Sequence, residues 1–436
     1  TPHVCRRQRQ MCIRDRIDTL LWNGPADERI NIVLIPDGYT SVELGKFQVD
    51  AEKILDELMS QSPFVEYDTF FNAVALLVPS SESGASHPGT ATDVNEPVIP
   101  VIDVDNRFGS RFDVGNIHRL LVPGNRGEIF TVLADNFPLY DQVMVLVNTP
   151  NYGGSGGTFA TTSLHPSAPE IAIHEIGHSF SGLADEYYAG DQYARESYNM
   201  TRNTDPSTVR WKNWYGEMGV GIYQHCCGGK SEEYYRPHQN CKMRRLGAPF
   251  CSVCKERTID RIYELVDPVT ELMPGEGTQR LYTGDTLRFF MDHLDNGQGN
   301  NTVEWTLDAE KVGSGKQLTL TEDSLLGLSQ ALQLTLFDPT PLSRSYWPDS
   351  AYRFSRNWEI ENCSGMEMVP ADTSLLCYGD SVLLRVKGAE EVTWFNNSVA
   401  DSIWVYENGV YQASASIADC REEFTFDVDV FGPFRS

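Results

Sequence analysis

His174-Glu175-Ile-Gly-His178 sets two imidazoles four positions apart, with a carboxylate beside the first. On an α-helix, positions i and i+4 project from one face a turn apart, so both side chains can reach a single metal ion. Imidazole nitrogen is a common zinc ligand, and a catalytic zinc takes three protein ligands and keeps one exchangeable position. Glu175 is rotated toward that open position, where its carboxylate can hold a water and take its proton. The chemistry within reach is hydrolysis by a zinc-activated water, with Glu175 as general base. Two unrelated histidines falling one turn apart would give the same spacing, so the flanks decide. Ile171-Ala-Ile173 is an apolar helical flank, and Gly177 permits close approach of another backbone. Gly182, followed by Asp185-Glu186, lets the chain turn back toward the ion.

The third ligand is less direct. In the short metzincin pattern it lies six residues after the second histidine, which here is Ala184, a residue that cannot bind metal. Gly182 and Asp185 each fall one residue later than that pattern, so a one-residue insertion makes Asp185 the expected ligand. Glu186 is its rival, with His225 and His238 as further alternatives. Tyr187, Tyr188, Tyr234 and Tyr235 are candidates for stabilising an oxyanion. Gly153-x-Ser155-x-Gly157 satisfies the nucleophile-elbow pattern of serine hydrolases, which needs a strand before it and a helix directly after. Thr158-Phe-Ala-Thr-Thr162 follows and is strand-like, so a glycine loop leading into an edge strand beside the cleft is expected instead.

These residues need a frame. Ile30 to Pro36 is a short apolar run closed by the turn Asp37-Gly38-Tyr39, which predicts a buried strand. Ser41 to Met59 has helical spacing, with Phe47, Ala51, Ile54, Leu55 and Leu58 on one side and Ser41 as its expected N-cap. Phe70 to Val78 and Val143 to Val147 predict further strands. Residues 80–110 read as loop, Pro166 to Glu170 opens the helix of the histidine motif, and Thr258 to Val266 is a last helix. Strand and helix alternate, which predicts a mostly parallel sheet with helices on its faces.

A chain of 436 residues exceeds one ordinary core, so two or three domains are expected. With 41% hydrophobic and 22% charged residues the composition is that of a globular protein. There is no apolar run long enough to span a bilayer. A formal charge of −26 argues against nucleic-acid binding, which needs a basic face. The first sixteen residues stand apart. Met11-Cys-Ile-Arg-Asp-Arg16 resembles a translated sequencing-adapter end, and Arg6, Arg7, Arg9, Arg14 and Arg16 crowd an otherwise acidic chain. Residues 1–16 are therefore set aside as a non-native segment. Most of the ten cysteines cluster, which predicts disulfides in an oxidising compartment. The alternative is a second zinc site built from Cys251-x-x-Cys254 and the Cys226-Cys227 pair.

Three blocks, HEIGHSFSGLADEYY, INIVLIPDGYTSVELGKF and CKMRRLGAPFCSVC, together resemble the IgA peptidase family of zinc metallopeptidases, family M64. The resemblance covers most of residues 17–265. It implies a zincin-like α/β (α+β) catalytic domain over 17–267 and a zinc metalloendopeptidase acting on proteins. It also implies His174 and His178 as ligands, Glu175 as general base and Met243 as a methionine turn beneath the metal. The family's name points to immunoglobulin A as substrate.

Pro268 to Gly277 reads as a linker, and beyond it the pattern becomes all-β. Leu281-Tyr-Thr-Gly-Asp-Thr-Leu-Arg-Phe289 aligns with Leu376-Cys-Tyr-Gly-Asp-Ser-Val-Leu-Leu384, and Val303-Glu-Trp305 with Val392-Thr-Trp394. Two related immunoglobulin-like sandwiches are therefore expected, at 278–362 and 363–436. In the second, Cys377, Trp394 and Cys420 have the order of an intersheet disulfide packed on a buried tryptophan, so a Cys377–Cys420 bridge is expected. The segment resembles compact modules of secreted Bacteroidetes proteins, which implies a secreted or cell-surface bacterial protein.

Overall fold

The computed structural model describes residues 17–346, 351–371 and 373–432. The segment 1–16, set aside above, lies outside them. The described residues divide into two compact units, one falling within 1–268, 294–301 and 338–352 and the other within 269–293, 302–337 and 353–436.

The first unit is built on β1 (Ile17–Leu21), β2 (Ile30–Asp37), α1 (Leu44–Ser60), β3 (Phe71–Leu76), α2 (Arg126–Asn136), β4 (Gln142–Val147), β5 (Gly154–Ser155), β6 (Ala160–Thr162) and α3 (Ala168–Ser179). A small hairpin of β7 (Tyr223–Gln224) and β8 (Tyr235–Arg236) follows, and then α4 (Ser252–Leu265). The sheet runs β1-β3-β2-β4-β6-β5. Its four inner strands are parallel, and β1 and β5 pair antiparallel at the two edges. Every residue of β2, β3 and β4 is buried, which is why they read as continuous apolar runs. Val33, Ile35, Val74, Val143 and Val145 pack with Ile129 and Leu133 of α2.

Two local expectations change. The cap position of α1 is Glu43, not Ser41, and the Glu43 carboxylate accepts from the backbone N–H and hydroxyl of Thr40. Residues 80–110 are loop, but an organised one. The buried Asp37 carboxylate, at the end of β2, accepts from the backbone N–H groups of Gly38, Phe108 and Ser110. Burial pushes its pKa up, against the downward pull of those hydrogen bonds. Further along, His87 and His118 bridge Glu96 and Asp113, tying the loop to itself.

The second unit is built of strands, with a short 3-10 turn at Glu322–Ser324. Its elements are β9 (Val269–Met273), β10 (Gly277–Leu281), β11 (Thr286–His293), β12 (Thr302–Leu307), β13 (Glu310–Ser314), β14 (Gln317–Thr321), β15 (Ser329–Asp338), β16 (Tyr352–Asn362), β17 (Glu367–Val369), β18 (Ser374–Cys377), β19 (Val382–Lys387), β20 (Glu391–Trp394), β21 (Ser402–Val405), β22 (Gly409–Ile417) and β23 (Cys420–Phe431). Sheets β10-β16-β15-β12-β13 and β14-β11-β9 enclose one core around Trp305 and Trp358. Sheets β17-β19-β21 and β18-β23-β22-β20 enclose another around Trp394. The sequence echo has a structural counterpart: β10 pairs parallel with β16, as β18 does with β23. Trp305 and Trp394 are both buried, each donating its indole N–H to a loop carbonyl, of Gly315 and Ala400.

Two expectations for this region are corrected. The stretch read as a linker contains β9, which pairs with β11 and joins the first sandwich. The expected Cys377–Cys420 bridge does not form; Cys420 bonds Cys363, and Cys377 is free and exposed. The reason is register. Cys377 lies opposite Phe431, while Cys420 begins the same strand, roughly 35 Å away at the strand's rise per residue. No disulfide spans that distance.

Candidate metal centre

Helix α3 carries His174, Glu175 and His178, with Pro169 in its first turn and a buried apolar face of Ile171, Ala172, Ile173 and Ile176. It stops where Gly182 adopts φ +67°, a left-handed value that glycine takes without strain. Gly182 N–H there donates to the His178 carbonyl, and Leu183 N–H to that of Gly177. The reversal returns the chain to the histidines.

Three donor atoms then converge. His174 Nε2 and His178 Nε2 are 3.2 Å apart, and lie 3.0 and 3.1 Å from Asp185 Oδ1. Each imidazole's Nδ1 sits against a backbone carbonyl, Lys242 O at 2.9 Å and Leu183 O at 2.8 Å. That assigns the ring proton to Nδ1 and leaves both Nε2 lone pairs facing the same point as the carboxylate. Donors of a tetrahedral zinc with these bond lengths sit about 3.3 Å apart, so the set fits the ion. Burial alone would lower the His178 pKa, but the Asp185 carboxylate prevails and pushes it up to about 9. Against burial, the two imidazoles hold Asp185 well below the ordinary carboxylate range.

Asp185 is held by its neighbours. The buried Asn199 side chain bonds both backbone groups of Ala184 and donates to Glu186 Oε1. His225 Nε2 meets the Asp185 carbonyl at 3.0 Å, and Glu186 N–H donates to Met243 O at 2.7 Å. His225 therefore supports the loop and is not at the donor point, and His238 accepts from Asn240 N–H. Glu186, the rival ligand, points away from the histidines into a cluster of cysteines. Met243 is fully buried and packs on Gly177, where a Cβ would lie 2.5 Å from its sulfur.

A cleft of about 480 Å³ opens over the donors, lined by Glu175, His178, Asp185, Tyr187 and Arg119 among others. Burial raises the Glu175 pKa, and the two imidazoles pull it down. Of the four tyrosines considered for the oxyanion, only Tyr187 lies here, its ring 5.9 Å from that of His174 and its hydroxyl 3.3 Å from Arg119. Tyr188 is exposed, Tyr234 is buried with Ala184, Ala194 and Met200, and Tyr235 belongs to β8. Arg119 comes from the irregular stretch between residue 110 and α2, where no local spacing marks it, and none marks Asn199.

The glycine run forms edge strand β5, and Ser155 donates its hydroxyl to Leu121 O, so it is not poised as a nucleophile. Gly156 borders the site. A Cβ there would fall 2.7 Å from Glu175 Oε2 and 2.9 Å from His178 Cβ. Gly156→Ala is expected to displace both side chains, lowering kcat/KM about 10²-fold and weakening metal binding through the shifted His178, with circular dichroism unchanged. Wild-type rates in that variant would mean that the strand does not crowd the working site.

The clustered cysteines also depart from expectation. Cys226 bonds its neighbour Cys227, while Cys241, Cys251 and Cys254 are buried and unbonded. Cys5 and Cys12 lie outside the described residues.

Residues 19–221 match the model of a family described as IgA Peptidase M64. No curated protein matches the chain. Among solved structures it is similar to an I-band fragment of titin, at 10% identity over 38% of this chain and 67% of that one, TM-score 0.19. It is similar likewise to extracellular domains 3–5 of Drosophila OTK, at 13% over 38% and 66%, TM-score 0.18. The insect immune protein hemolin is a third, at 14% over 37% and 46%, TM-score 0.23. Likenesses of this strength decide nothing about function.

Proposed function

From the match of residues 19–221 to the IgA Peptidase M64 family we propose that this chain is a zinc metalloendopeptidase cleaving protein substrates outside the cell. The family match itself implies a zinc metallopeptidase. The observation that carries the finer reading is the convergence of His174 Nε2, His178 Nε2 and Asp185 Oδ1 beside Glu175, at the floor of an open cleft.

A zinc ion held by those three side chains would supply the Lewis acidity that activates water and polarises a scissile carbonyl. The rest is the work of the chain. Glu175 takes the proton of the attacking water and returns it to the leaving amine. The Nδ1–H bonds to Lys242 O and Leu183 O fix both rings, so that their Nε2 lone pairs stay aimed at the ion. The Tyr187 hydroxyl and Arg119 guanidinium supply hydrogen-bond donors on the cleft wall for a developing oxyanion. Strand β5 lies beside Glu175, its outer edge tied to the 119–121 segment by the Gly154 N–H to Arg119 O bond, which holds Arg119 at the cleft.

The Cys363–Cys420 disulfide supports an oxidising location, and among the described residues no helix is long and apolar enough to cross a membrane. We read residues 17–267 as the catalytic domain, followed by two sandwich modules, the first of which begins with β9 at Val269 and the second near Cys363. Immunoglobulin A is the substrate to try first, beside a generic unfolded polypeptide. The purified chain is expected to carry zinc, to cleave at least one of the two, to stop when the metal is chelated and to recover when zinc is returned. Cleavage that persists in chelator would overturn the reading. A zinc-loaded chain inert on both substrates would favour a non-catalytic binding protein.

A further inference from the structure

Behind the candidate centre lies a second cluster. Cys254 Sγ is 3.6 Å from Cys241 Sγ, 3.6 Å from Cys251 Sγ and 3.5 Å from Glu186 Oε1. All four residues are buried, and their donor atoms lie within 4.8 Å of one another. We propose that Cys241, Cys251, Cys254 and Glu186 hold a second, structural zinc ion.

The spacing argues for an ion and against a disulfide. Sulfurs bonded to each other sit about 2.05 Å apart. Sulfurs on one tetrahedral zinc sit about 3.8 Å apart, and a sulfur and a carboxylate oxygen about 3.5 Å, from bond lengths near 2.3 and 2.0 Å. The chain pairs cysteines where pairing suits, at Cys226–Cys227 and Cys363–Cys420, yet leaves three packed sulfurs unpaired here. A buried carboxylate facing them, with Glu186 Oε2 lacking any hydrogen-bond partner, is costly unless a cation is present. The Cys251 backbone N–H also donates to Cys241 Sγ at 3.4 Å, an outer hydrogen bond that fixes the sulfur's orientation toward the other donors. Thiolate-rich tetrahedral sites select zinc among the common divalent ions.

The elements joined are informative. Cys251 caps α4 and Cys254 sits in its first turn. Cys241 precedes Lys242, whose carbonyl holds His174, and Met243, which packs under α3. Glu186 follows Asp185 directly. The second ion would thus clamp the two segments that aim the donors of the candidate centre, a role that rests on the catalytic reading although the site itself does not.

Cobalt exchange tests it on the full chain. Cobalt bound to thiolates gives an intense near-ultraviolet charge-transfer band that histidine and carboxylate ligands cannot give, so neither the His174 centre nor the His87 cluster can imitate it. With Cys5, Cys12 and Cys377 replaced by serine in every sample, the band is expected at full strength. It should persist in His174→Ala/His178→Ala and vanish in Cys251→Ser, which should also lose one zinc per chain. A folded parent chain that takes up cobalt without this band, or a disulfide among the three cysteines on non-reducing peptide mapping, would overturn the proposal. A missing catalytic activity would not, because the band does not depend on it.

Discussion

Glu175→Gln is expected to keep its zinc and its fold while losing about 10²- to 10⁴-fold in turnover. The amide matches the carboxylate in volume, so the close approach of Gly156 to the Glu175 side chain is undisturbed. It cannot take a proton at neutral pH, which is the one task assigned to Glu175. None of the three convergent donor atoms belongs to Glu175, so metal content should be unchanged. The two readouts together are decisive: turnover on a protein substrate, and metal per chain. Full turnover with metal bound would sink the assignment of Glu175 as base.

Asp185→Ala is expected to act through the metal instead. It removes the one anionic donor of the set and leaves two imidazoles, one short of the three protein ligands that catalytic zinc takes. Disturbing groups that merely support a ligand weakens metal binding about 10- to 100-fold, so removing the ligand should weaken it by more than about 10². Turnover should fall in step, and excess zinc should restore part of it. Glu186→Gln is the informative contrast. Glu186 faces the cysteine cluster, so its substitution should spare the histidine-bound zinc while weakening the second ion. If Glu186→Gln emptied the histidine centre and Asp185→Ala did not, the roles of these neighbours would have to be exchanged.

What the sequence determined by itself was whatever depends on local periodicity. His174 and His178 one turn apart, Glu175 rotated beside them, the continuous apolar runs of β2 and β4, and the twin tryptophans of the sandwiches are all consequences of helix and strand repeat. Spacing also makes Asp185 the expected partner of the histidines, and in the fold its Oδ1 meets both Nε2 atoms after the reversal at Gly182, whose backbone is left-handed. Tertiary structure decided which distant groups meet. Arg119 reaches the cleft where its carbonyl accepts from Gly154 N–H and its guanidinium meets Tyr187, and Asn199 grips Ala184 and Glu186 from a loop with no pattern of its own. The cysteines make the distinction sharpest. Composition pointed to disulfides, but pairing depends on sulfur-to-sulfur distance, and only strand register separates Cys377 from Cys420 and delivers Cys363 in its place. Likewise Cys241 and Glu186, fifty-five positions apart in sequence, come together with Cys251 and Cys254 only in the folded chain, because burial and distance are not properties of any window along the sequence.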